Sequence, residues 1–342
     1  MNTLKISDIL RGGTESGAYP CFAASVGRGE EVLYYDYAGD RALLPERLPI
    51  TEDTLFDMAS LTKLIGTTMA CLRMIEESKI QLTDKVGKYF DNCFGKEDIT
   101  VFQLLTHTSG IPAHFPLYRT EDPKNAAQEI LKYPFAYPTG TKTVYSCMGF
   151  ILLGKILEQI EGKPLDKIVG EKVFAPLGMK NSFYNPPVSH PCAATEKDVF
   201  GDGIVCGVVH DENARFLGGV SGNAGIFCTL GDTVKFASML SGRGKGYISP
   251  TLFEKAVTDY TSDFSENRGL GFQLFGNKPF PGGSKMSVGS YGHTGFTGTS
   301  LFVDNKTGGY GVLLTNRVHP TRENYGLTAI RREFYDTVFS EE

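Results

Sequence analysis

Strand-forming patterns lie at both ends of this 342-residue chain, and helical patterns fill its middle. Strands need partners, so this layout calls for one sheet assembled from the two termini, with a helical insertion packed beside it. Near the start, two runs rich in β-formers flank Gly27-Arg28-Gly29-Glu30, a hairpin signal. Near the end, residues 269–276 read as a strand. Leu301-Phe302-Val303 and Gly311–Leu314 then flank a turn at Asn305-Lys306-Thr307-Gly308, a second hairpin. Between them, Leu61, Leu64, Ile65, Met69, Leu72 and Ile75 recur at helical spacing, with small residues Gly66, Thr67, Thr68 and Ala70 on another side. A second helix runs Gly149–Glu161 and closes at Gly162, a third covers Asp232–Ser241, and a last runs from about Gly326 to Phe339. Residues 195–230, rich in Gly, Asp and Asn, read as loop. The expected fold class is α/β (α+β): an antiparallel sheet from both termini, flanked by helices, plus a mostly helical inserted subdomain. One domain is expected over 1–342, with the sheet subdomain near 1–65 and 230–342 and the helical one near 66–229.

Composition narrows the function classes. Hydrophobic residues make up 41% and charged residues 21%, ordinary values for a water-soluble globular protein with a large core. The formal net charge is -5 and no Lys/Arg-rich run occurs, so no nucleic-acid partner is expected. No stretch approaches the roughly 18–20 apolar residues of a membrane span, and the first residues carry no apolar signal region. No membrane association and a cytoplasmic location are therefore expected. The seven cysteines are scattered without a C-x-x-C pair, which fits buried thiols in a reducing compartment rather than a zinc or redox motif.

Three short segments carry chemistry. In Ser60-Leu61-Thr62-Lys63, at a helix start, residues three apart share a face, so Ser60 and Lys63 are neighbours. A buried lysine with a lowered pKa can take the serine proton. The helix N-terminus makes the Ser60 N–H a natural oxyanion donor. Tyr145, just before the second helix, brings a hydroxyl able to shuttle protons. His293-Thr294-Gly295 enters a strand that can supply a second backbone donor, Phe296 N–H, and the glycine allows a substrate close to that strand. Ser-x-x-Lys alone recurs by chance; the order and spacing of all three segments is the specific observation.

That pattern resembles the serine β-lactamase and penicillin-binding protein superfamily, most closely its branch of class C β-lactamases, DD-peptidases and family VIII esterases. The resemblance rests on Phe56–Lys63, Leu104-Leu105-Thr106-His107-Thr108-Ser109-Gly110, Pro176–Met179, Ala224–Thr229 and Tyr291–Gly295, and runs from about residue 15 to 338. It implies Ser60 as nucleophile, Lys63 and Tyr145 sharing base and acid duty, and Ser60 N–H with Phe296 N–H as the oxyanion hole. His293 takes the place often held by lysine, and no metal and no organic cofactor is used. Two departures matter. Cys147 stands where the tyrosine motif usually has asparagine, and a thiol is a poor substitute for an amide that holds a substrate amide. His293 carries a weaker fixed charge than lysine.

Other candidates read more plainly. Asn223 and Asn316 are candidate substrate-binding residues, with Arg317 able to meet a substrate carboxylate. His107 reads as a turn residue that satisfies loop carbonyls. His210-Asp211-Glu212-Asn213 is read as shaping a loop, because consecutive side chains rarely point at one ion. The expected function is a serine hydrolase of esters or peptide-like amides, of esterase or D-Ala peptidase type, acting on a small-molecule or short-peptide substrate. True β-lactamase activity ranks lower because of Cys147. A slow-turnover penicillin-binding or sensor protein is the alternative, and an acyltransferase differs only in the acceptor. Oligomeric state is not legible.

Overall fold

The computed structural model of the chain describes residues 2–201 and 203–340. Its strands, in chain order, are β1 (Cys21–Arg28), β2 (Glu31–Ala42), β3 (Leu48–Pro49), β4 (Phe56–Asp57), β5 (Ser182–Tyr184), β6 (Ile226–Cys228), β7 (Gln273–Leu274), β8 (Tyr291–Thr294), β9 (Ser300–Val303) and β10 (Gly309–Thr315). β1 decides the layering. Its side chains alternate between two apolar environments. Phe22, Ala24 and Val26 meet Ile6, Leu10, Phe334 and Tyr335 of the terminal helices. Cys21 and Ala23 join the main core with Phe236, Ala237 and Leu240. A strand covered on both faces is central, and β1 indeed lies between β2 and β10. Each large apolar side chain buried in this way contributes about 1.5–3 kcal/mol.

The main sheet has seven strands in the order β3-β2-β1-β10-β9-β8-β7, all antiparallel. The two hairpins form where the sequence places them. The first turns through Gly29, whose φ of 57° is left-handed and free of strain for glycine. In the second, the Asp304 carboxylate accepts from the backbone N–H of Lys306 and Thr307 and fixes the turn. The helices at Cys147–Glu161, Leu230–Ser241 and Leu327–Val338 match their apolar patterns to within two residues.

The structure adds one element that the sequence reading left out and departs from expectation at three places. Thr3–Glu15 is helical despite Gly12 and Gly13. There the Tyr19 ring occupies the space a side chain at Gly13 would need, and its hydroxyl donates to the Leu10 carbonyl at 2.9 Å. Residues 195–230 are not all loop: Glu212–Phe216 is helical and β6 joins β4 and β5 in a small second sheet. Of residues 269–276 only Gln273–Leu274 pair as strand. The helix expected from Leu61 opens as a π-helical turn, Lys63–Thr68, before the α-helix Met69–Glu76. No helix among the described residues is long and apolar enough to cross a membrane.

Candidate active site

Ser60 ends a short loop after β4, and its neighbours in that loop are tied down. Ala59 takes a φ of 46°, costly for a residue with a Cβ. The buried Asp57 carboxylate holds it there, accepting from Ala59 N at 2.8 Å and His210 N at 2.7 Å. From the other side, Met58 N donates to Ile226 O of β6. Thr297 and Thr299 donate their hydroxyls to the carbonyls of Asp57 and Met58, at 2.7 and 3.1 Å. Among the described residues, neither Ser60 N–H nor Phe296 N–H finds a protein acceptor. Both donors stay available to a developing oxyanion.

Lys63 lies one turn on, fully buried. Its Nζ donates to Ser60 Oγ at 3.1 Å, to Asn223 O at 3.1 Å and to Cys147 Sγ at 3.4 Å. The expected lowering of its pKa is not found. Burial pushes the amine down, but the opposing influence of Cys147 and Tyr145 outweighs it and holds the pKa above the ordinary value. Burial likewise pushes the Tyr145 phenol up, against the pull of Lys63. Each shift depends on the charge of the other group, so the two titrate as a pair, and the pair must be short of one proton before it can act as a base.

Tyr145 packs its ring under Lys63 Nζ at 4.7 Å from the centroid. Its hydroxyl is buried, and the side chains of Lys63 and Ser60 both act on it. Ser146, the next residue, aligns the ring. Ser146 N donates to His107 Nδ1 at 3.0 Å, and Ser146 Oγ caps the next helix through Gly149 N. His107, at a left-handed φ of 59°, sets its ring 4.7 Å from that of Tyr145, tilted by 47°. Burial, then the charges of Arg268 and Lys63, keeps it neutral.

His293 and Thr294 close the facing wall on β8. His293 Nδ1 meets Thr294 O at 2.8 Å, and its Nε2 lies 3.5 Å from Arg268 Nη1. Burial, then Arg268 and Lys63, pushes its pKa well below 6.5, so it is a neutral imidazole and not a stand-in for a lysine cation. Gly295 lines the cavity and also packs closely against its surroundings. A Cβ there would lie 2.4 Å from Met58 O and 2.1 Å from Thr299 Oγ1, so the glycine lets the end of β8 seat against the Ser60 loop. Phe296 is half exposed. Its ring stacks on His210 at 5.6 Å and on the Arg317 guanidinium at 4.7 Å.

Ser60, Tyr145, His293, Thr294, Gly295 and Phe296 all line one cavity of about 410 Å³. Cys147 reaches the site through Lys63. Asn223 meets Lys63 through its backbone carbonyl, and its Nδ2 is buried without a partner among the described residues. Its side chain is buried, with Oδ1 taken by Ser221 Oγ at 2.7 Å. Asn316 is a correction: its Oδ1 accepts from Cys21 N and its Nδ2 serves Arg41 O and Ala194 O. It ties β1 to its surroundings and leaves no atom for a substrate. Arg317 does line the cavity, clamped by the carbonyls of Arg322 and Asn324. The His210–Asn213 cluster disperses: Asp211 caps a helix, Glu212 pairs with Arg322, and Asn213 donates to Phe115 O. Sequence reasoning missed Glu266, Arg268, Gln273, Tyr325, Thr328 and Arg331, which complete the cavity lining. A Glu two residues before an Arg, entering a strand, was the one available hint of the first pair.

Comparison with known proteins places this geometry. The Beta-lactamase family model matches residues 6–334. A putative D-alanyl-D-alanine carboxypeptidase of Escherichia coli K12 is 33% identical over 316 residues, covering 81% of this chain and 72% of its own. An N-acetylmuramyl-L-alanine amidase of Bacillus subtilis is 34% identical over 303 residues, covering 78% and 68%. Among solved structures, EstCE1, a hydrolase with promiscuous acyltransferase activity, superposes with a TM-score of 0.81 at 20% identity, covering 98% of both chains. The octameric penicillin-binding protein homologue from Pyrococcus abyssi gives 0.77 at 22% identity, covering 99% of this chain and 77% of that one. These two likenesses establish the fold.

Proposed function

The chain belongs to the beta-lactamase family, and from that premise we propose that it is a serine hydrolase forming an acyl-enzyme at Ser60 on esters or D-Ala-type peptide amides. Family and relatives point to a hydrolase of this fold, peptidase or esterase. The observation that carries the finer reading is Ser60 Oγ held 3.1 Å from Lys63 Nζ at the floor of the cavity, with Tyr145 beside both. Once the Lys63–Tyr145 pair has lost a proton, it takes the Ser60 proton as Oγ bonds to the substrate carbonyl carbon. The carbonyl oxygen becomes an anion between the N–H groups of Ser60 and Phe296. The pair then returns the proton to the leaving oxygen or nitrogen as that bond breaks, and water repeats the sequence on the acyl-enzyme. Cys147 offers no amide to a substrate amide, which supports esters over β-lactams.

The test is release of p-nitrophenolate from a short-chain ester and of D-Ala from a D-Ala-D-Ala peptide. Wild type turns over at least one. Ser60→Ala loses about 10³-fold or more of that rate. Equal background rates for both proteins on both substrates contradict the reading.

A further inference from the structure

Arg268 is a buried cation with no part in the proton transfers of the proposed reaction. It sits in the loop before β7, only 4% exposed, and lines the same cavity as Ser60. Its guanidinium lies 5.2 Å from the Tyr145 ring centroid, across the same phenol that Lys63 Nζ approaches at 4.7 Å. Glu266 holds it: Arg268 Nε donates to Glu266 Oε2 at 2.7 Å, and Nη2 reaches the same oxygen. The backbone is fixed as well, with Arg268 N donating to Thr261 Oγ1 and Arg268 O accepting from Tyr260 N. A buried guanidinium in this position is costly unless it is paired, and one partly exposed carboxylate pairs it.

We propose that Arg268 supplies the fixed positive charge of the site and is a positioning residue for Tyr145: it biases the Tyr145–Lys63 pair toward giving up the proton that must leave before Ser60 is attacked. This deepens, and rests on, the serine hydrolase reading. Two observations and one general property support it. His293, where a lysine is expected, is neutral and contacts Arg268 through Nε2. Arg268 also depresses both nearby imidazoles, so its field reaches the site. Unlike histidine, a guanidinium keeps its charge throughout the working pH range. The groups facing Tyr145 from other elements are Ser60 and Lys63, Cys147 at the next helix start, His107 after Val101–Leu105, His293 on β8, and Arg268. Asp211 acts on Lys63 from farther off. With both imidazoles neutral, Arg268 and Lys63 are the cations in this set.

The experiment compares kcat/KM against pH on an ester for wild type, Arg268→Gln, Arg268→Lys and Glu266→Gln. Removing the cation makes the pair harder to deprotonate, so the acid limb of Arg268→Gln moves up by about one pH unit. Removing the carboxylate leaves the cation less neutralised, so the limb of Glu266→Gln moves down. Arg268→Lys falls between wild type and Arg268→Gln. Opposite shifts from two partners of one ion pair are not what a merely structural pair gives. An ultraviolet titration of each variant, differenced against Tyr145→Phe, reads the same phenol without turnover. If Arg268→Gln does not fold, Glu266→Gln carries the test alone. Limbs and phenol titrations that superimpose on wild type, or that move the same way in both variants, overturn the proposal. Loss of all Ser60-dependent turnover in wild type would instead contradict the hydrolase reading and leave the phenol titration to decide on Arg268.

Discussion

At the residue scale, the site is a cluster of groups whose charges set one another. The Lys63 pKa stays above the ordinary value because Tyr145 and Cys147 outweigh the cost of its burial, and His293 stays neutral because burial and Arg268 disfavour a further cation. Cys147 is the position where one substitution changes what the site can hold. Its sulfur now accepts from Lys63 Nζ and offers no amide. Cys147→Asn should raise the rate constant for acylation by a penicillin about 5–10-fold, the worth of one added hydrogen bond, measured by stopped-flow trapping of Ser60. An unchanged or lower rate would show that Cys147 does not limit β-lactam recognition. Ser60, Lys63, Tyr145 and His293 were legible because spacing on a helix and entry to a strand are local properties. Arg268 was not, because its place depends on how the loop before β7 folds against Tyr145. Asn316 was misread for a related reason. An asparagine after a strand looks the same in sequence whether it meets a substrate or ties down Arg41 and Ala194.

At the element scale, the site depends on the end of β8 lying against the nucleophile loop. Gly295 permits that contact, since a Cβ would lie 2.4 Å from Met58 O. Backbone is the obstacle, so the strand end itself must move. Gly295→Ala should lower kcat/KM about 10–100-fold by displacing the Phe296 donor, while the melting temperature shifts only modestly. Kinetics and a thermal melt on the same preparation check this, and wild-type kcat/KM would contradict it. The elements themselves were legible where they are long and periodic, as in Cys147–Glu161. They were hidden where tertiary contact overrides propensity. Each glycine inside Thr3–Glu15 costs about 1 kcal/mol against alanine, and Tyr19 packing at Gly13 accounts for the helix there. Ile226–Cys228 is too short for any period to register, yet it holds the nucleophile loop through Met58.

At the scale of the whole molecule, both ends of the chain build the sheet that carries β8. The β9–β10 hairpin is central to it, and Asp304 fixes its turn. Burial pushes that carboxyl up, but donors from Ser287 and Thr307 outweigh it and hold the pKa at about 2. A folded pKa below the unfolded value means stability that is present above the unfolded pKa of 3.8 and lost as pH falls toward 2. Glu196, held at about 2 against burial by His210 and Arg322, adds to the same window. The melting temperature should therefore fall steeply as pH drops from about 4 to 2, and Asp304→Asn should fall less over that range from a lower start. Parallel melting curves for the two proteins across that window would contradict this account of the hairpin.

The central claim is that Ser60 carries the acyl group. The direct measurement is the intact mass of the protein quenched during reaction with an activated ester or a penicillin, followed by peptide mapping of the adduct. The account predicts one added acyl mass per chain, mapped to the peptide containing Ser60 and absent from Ser60→Ala. An adduct that persists in Ser60→Ala, or that maps to Cys147, would contradict it.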